Sequence, residues 1–167
     1  MYWSYRGSPD TGNPKPLVTL VSQCTQVIYA ERSATRDFGF FKVDKAPAVS
    51  IPISTDSKRT PDNTKITLFG YPQARPLEWS QYCALKKSIR VSGVMSASQF
   101  AYQCDSEPGN SGSSVLAVAA NGTIKVVGIH DAAGPDTINY NIATYMYDIR
   151  KVLLTKGINL DQLTGSH

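Results

Sequence analysis

The sequence predicts an all-β, antiparallel fold closed by one C-terminal helix, on three observations. Short runs rich in Val, Ile, Thr, Tyr and Phe recur at regular intervals from residue 65 onward. Turn signals such as Asn121-Gly122 separate them, the pattern expected of an antiparallel barrel or sandwich. Helical spacing is confined to Tyr147–Lys156, where Ile149, Val152 and Leu153 recur at three and four positions and Gly157 provides a stop.

In chain order, residues 1–16 carry Gly7, Pro9, Gly12, Pro14 and Pro16 and read as an irregular lead-in. Leu17–Ser22 and Gln26–Glu31 have strand composition. Asp37 stands immediately before the apolar strand Phe38–Val43, and Ala48–Ile53 reads as a further short strand. The polar, Pro-containing stretch Ser54–Asn63 reads as a linker, which divides the chain into 1–58 and 59–167. Strands are then expected over Lys65–Tyr71, Ser80–Lys87, Ser88–Met95, Gln99–Cys104, Ser113–Ala119, Thr123–His130 and Asn139–Met146.

With 167 residues the chain can form one compact domain or two small barrels sharing an interface. The net charge of +4 comes from scattered Lys and Arg, so a mildly basic surface is expected, without a nucleic-acid footprint. No apolar run approaches the roughly 18 residues of a membrane span, and Met1–Arg6 lacks the apolar centre of a leader. Of three cysteines, Cys83 and Cys104 lie near the ends of two runs and can pair in an oxidising compartment. Cys24 is then left over, either as a buried thiol or as the partner of a segment not seen.

Chemistry concentrates in Cys104–Val115. In Gly109-Asn110-Ser111-Gly112-Ser113 a serine hydroxyl can be exposed while the N–H groups of Gly109 and Ser111 converge on a space suited to an oxyanion. A Ser/Gly-rich hairpin loop would have the same composition. A hydroxyl nucleophile needs a base and a group to orient it. The two histidines are His130, at the end of a strand, and His167, the last residue. The α/β-hydrolase elbow is excluded because Ser113 replaces its final glycine. Dispersed His and Cys give no metal ligand set, and no cofactor is expected.

Asp105–Ser113 resembles the nucleophile motif of trypsin-like serine peptidases of the chymotrypsin fold, particularly the bacterial branch related to glutamyl endopeptidases, with Ser114 in place of that branch's usual proline. Three further stretches are similar in the family's order: Asp37–Val43, Phe69-Gly70-Tyr71-Pro72, and Val127-Gly128-Ile129-His130. The resemblance implies two antiparallel β-barrels, the first represented by residues 1–58 and incomplete. It implies Ser111 as nucleophile, Asp37 as the carboxylate that orients a histidine, and the Gly109 and Ser111 amides as oxyanion donors. It places Asp105, Ser106, His130 and Asp131 around the pocket for the substrate's primary side chain. His130 suits an acidic side chain there and Asp105 a basic one.

The family's histidine precedes the aspartate, and residues 1–36 contain none. The expectations are a fragment or cleaved chain whose partner supplies it, a wrongly chosen start, or a pseudopeptidase that binds proteins; the first leads, because Ser111, Asp37 and the oxyanion glycine are present. Asn110 stands where trypsin-like zymogens carry an aspartate for a freed N-terminal amine, so that switch is not expected. The resemblance further implies a peptide or protein substrate, no nucleic-acid or membrane partner, and a secreted or periplasmic location.

Overall fold

The computed structural model describes residues 2–3, 20–33, 35–47, 50–75, 77–87, 89, 95–134, 139–160 and 162. Among the described residues there are ten strands: β1 (Tyr2–Trp3), β2 (Leu20–Val21), β3 (Cys24–Ser33), β4 (Arg36–Val43), β5 (Lys65–Gly70), β6 (Glu78–Lys86), β7 (Gln99–Tyr102), β8 (Ser114–Val118), β9 (Ile124–Ala133) and β10 (Asn141–Tyr145). One α-helix, α1 (Met146–Thr155), follows directly on β10.

The apolar runs of β5, β7, β8, β9 and β10 explain the barrel. Strands β10-β7-β6-β5-β8-β9 close on themselves in that order, every neighbouring pair antiparallel. Closure pairs the backbone of every strand on both sides and leaves no sheet edge. Ile66, Leu68, Leu85, Phe100, Tyr102, Val115, Val127 and Tyr145 fill the interior and are almost fully buried. Gly128 is required here, because a Cβ would stand 2.7 Å from the Phe100 ring.

A second apolar layer lies on the outside of the barrel. Phe38 from β4 meets Leu116, Val126, Met146, Ile149, Leu153 and Leu160, with Tyr29 and Phe40 packed at its margin. This layer seats α1 and the two-stranded β3–β4 hairpin. The other face of the hairpin leaves Val27 and Phe41, which lie opposite each other, exposed.

The register Leu85↔Tyr102, continued by two residues, puts Cys83 opposite Cys104. They form a disulfide with Cα atoms 5.1 Å apart. Such bridges persist in oxidising compartments. Cys24 is exposed, not buried.

Four local expectations need correction. Tyr2 and Trp3, within the expected irregular lead-in, form a strand paired to Leu20–Val21. Asp37 sits inside β4 opposite Arg32, not ahead of the strand. Of the expected strand Ala48–Ile53, the described residues 50–53 form none: Ile53 makes an isolated parallel bridge to Val126, and Pro52 has no N–H to continue a ladder. His130 lies within β9, not at its end, since the strand runs on to Ala133. Ser88–Met95 falls almost wholly outside the described residues. Ser54–Asn63 is fastened to the barrel and helix by Ser54 N–H to the Val126 carbonyl and by a two-point Arg59–Asp148 ion pair.

Candidate active site

The loop from Gln103 to Ser113 leaves β7, pinned at its start by the Cys83–Cys104 bridge, and enters β8. Gly109 has φ +99°, and a Cβ on it would lie 2.7 Å from the Gln73 nitrogen. Only glycine satisfies both conditions. Within the loop the Asn110 amide donates to the Glu107 carbonyl (3.1 Å) and the Gly112 amide to the His130 carbonyl (2.8 Å). The amides on either side of Asn110, those of Gly109 and Ser111, have no acceptor among the described residues. Ser111 is exposed, and its Oγ donates to the backbone carbonyl of Asp131 at 3.3 Å.

Ser111 opens onto a cleft of about 310 Å³ between the barrel and the β3–β4 hairpin, walled by Asp37, Gly39, Phe41, His130 and Asp131. Asp37 is exposed, and no described residue donates a hydrogen bond to its carboxylate. Asp131 is half-buried. Its Oδ2 accepts from Gln99 Nε2 (2.8 Å) and Thr144 Oγ1 (2.6 Å). Its Oδ1 is buried and has no partner. Burial pushes the Asp131 carboxyl up to about 6, with the Asp37 charge adding to the effect and the two hydrogen bonds opposing it.

His130 borders the same cleft, but its ring is buried at 4% exposure with Nδ1 2.6 Å from the Tyr102 hydroxyl. Burial holds Tyr102 protonated, so its hydroxyl donates to the ring. Burial also lowers His130 to about 4, against a backbone hydrogen bond to Ile142. The imidazole is therefore neutral near pH 7, with its Nδ1 engaged by the Tyr102 hydroxyl.

The four residues expected to share a pocket are divided. Asp105 and Ser106 precede the Gly109 turn and face a separate cavity of about 220 Å³ bordered by Gly70, Trp79, Glu107 and Asn110. Ser106 Oγ donates to Asn141 Oδ1 at 2.7 Å. His130 and Asp131 lie on the Ser111 cleft. His167 falls outside the described residues. Gln99, Thr144 and Tyr102, which hold Asp131 and His130 in place, were not expected. Their signal is a polar group inside an otherwise apolar strand.

No family model matches the sequence, and no curated protein matches it. Solved structures do. The active form of the Rv3671c protease from M. tuberculosis shares 16% identity with a TM-score of 0.58, over 87% of this chain and 61% of that one. Its inactive form gives 15% and 0.57, over 84% and 68%. An inactive serine-to-alanine mutant of the same protein gives 16% and 0.58, over 86% and 66%. The fold is that of the chymotrypsin-like proteases. The chain spans about two thirds of the length of these neighbours. The likeness reaches the fold and does not single out the glutamyl-endopeptidase branch.

Proposed function

We propose that this chain is a serine endopeptidase in which Ser111 is the nucleophile. The observation that carries the reading is the alternation in the loop, where the amides of Gly109 and Ser111 are unengaged beside an exposed hydroxyl while those between and after them are satisfied. Two such donors suit the oxyanion of a tetrahedral intermediate, a contribution on the order of 3 kcal/mol per donor. Ser111 Oγ attacks the scissile carbonyl, its proton passes to a histidine, and that proton leaves with the amine as the acyl-enzyme forms. Asp37, across the cleft, orients the histidine. The base comes from outside the described residues, from a further segment or a second chain that also extends the β3–β4 sheet. The substrate is a peptide or protein, and the disulfide accords with a secreted or periplasmic setting.

Labelling with a serine-directed fluorophosphonate, read by intact mass and peptide mapping, tests this. Modification at Ser111 that appears when a histidine-bearing upstream segment is supplied, and disappears in Ser111→Ala, is expected. Absence of labelling in every such preparation sinks the proposal.

One observation favours a second reading, a peptidase-like domain that binds proteins without turnover. The described histidine is neutral and held by Tyr102 inside the barrel, so it does not serve Ser111.

A further inference from the structure

One carboxyl oxygen of Asp131 lacks a hydrogen bond. Gln99 from β7 and Thr144 from β10 saturate Oδ2 and fix the plane of the carboxyl. Oδ1 is buried without a donor on a residue that walls the cleft shared with Asp37 and Ser111. The Asp131 backbone carbonyl already accepts the Ser111 hydroxyl, so the carboxyl stands within one residue of the nucleophile. A buried acceptor left unpaired costs about 1–3 kcal/mol, more when charged, and a donor that reaches it recovers that cost.

The groups around Asp131 are Asp37 on β4, Gln99 and Tyr102 on β7, Thr144 on β10 and its neighbour His130 on β9. None is cationic: His130 stays neutral against Tyr102. The cleft thus offers two carboxylates and no internal counter-charge among these groups.

We infer that Asp131 is a positioning residue whose Oδ1 accepts an N–H of the imidazole that serves Ser111, with Asp37 as the second carboxylate facing that ring. The inference rests on the reading of Ser111 as a nucleophile. As Ser111 Oγ bonds to the acyl carbon, its proton moves to the free ring nitrogen, and the imidazolium stands between two carboxylates. The same proton departs with the leaving amine, and the ring returns to neutral. A second carboxylate favours the charged ring, so it raises the pKa of the base.

Free imidazole is the probe, added to the full chain. Saturable binding is expected, weakened roughly tenfold by Asp131→Asn and by Asp37→Asn, as for loss of one charge-assisted hydrogen bond. Asp56→Asn, whose carboxylate pairs with Lys125 elsewhere, is expected to bind as wild type. In wild type, carboxyl NMR is expected to show Asp131 titrating lower once imidazole is bound; this readout needs no variant and does not follow from a structural role. Absence of imidazole binding, equal binding by Asp131→Asn, or an unmoved Asp131 titration overturns the inference. Carboxylate-dependent binding without any Ser111 labelling keeps Asp131 as an imidazole acceptor and overturns both its role as positioner of a base and the peptidase reading. Imidazole-stimulated labelling indifferent to Asp131→Asn does the reverse.

Discussion

Two neighbours on β9 titrate against each other, and Asp131→Asn should expose this. Burial moves the Asp131 carboxyl from 3.8 up to about 6. The folded state therefore binds that proton more tightly than the unfolded chain, and stability falls as pH rises from about 4 to 6. Burial moves His130 from 6.5 down to about 4. There the folded state binds the proton more weakly, and stability rises between about 4 and 6.5. At about 1.4 kcal/mol per pH unit each effect is worth about 3 kcal/mol, so the two nearly cancel over the same window. Lys125 holds the Asp56 carboxyl, and Arg75 that of Glu78, below the ordinary carboxylate range. Asparagine keeps an acceptor for Gln99 and Thr144 but does not titrate. Urea unfolding followed from pH 4 to 6.5 should give wild type a shallow profile. The variant should gain about 3 kcal/mol across the range, roughly 1–3 M in midpoint. A variant profile as shallow as wild type would refute the assignment of opposing burial effects.

Gly70→Ala should damage the nucleophile loop at modest cost in stability. A Cβ there would lie 2.3 Å from Asn110 Oδ1 and 2.4 Å from Ser113 Oγ, demanding a shift of about 1 Å on both sides of Ser111. Overpacking of about 1–3 kcal/mol outweighs the 0.4–1 kcal/mol that alanine returns through the unfolded chain. Fluorophosphonate labelling should slow by about 100-fold while the melting temperature drops only a few degrees; unchanged labelling would count against the loop geometry. Replacing both Cys83 and Cys104 by serine should cost about 3 kcal/mol, because the bridge closes a loop with a sequence separation of 21, and calorimetry should show a fall of about 10 °C.

Much of the barrel was legible because each of its strands except β6 is an apolar or β-branched run between turn residues, and those local signals agree with the final pairing. The Ser111 loop was legible for a similar reason: Gly109 and Gly112 mark positions of positive φ. What escaped was set by distant contacts. The pairing of Tyr2–Trp3 with Leu20–Val21 has no local signature. Asp105 and Ser106 border a different cavity from Asp131, with Ser106 bonded to Asn141, 35 residues on. Asp131 is the extra residue of a bulge on β9, since Ile142 pairs with Ala132 and Ala143 with His130, and a one-residue slip moves a side chain to the other face. Spacing along β9 does not reveal that slip.

The unequal support of the two sides of the cleft has a consequence for its operating range. Ser111 and Asp131 are anchored to a closed barrel whose strands are paired on both sides. Asp37 rides on a two-stranded hairpin with Val27 and Phe41 facing water, held by one packed face. Isolated two-stranded ribbons are marginal, and proteins open first where buried contacts are fewest. On warming, the hairpin side of the cleft would therefore loosen in a step of its own, and the alignment of Asp37 with Ser111 would end at a lower temperature than the barrel does.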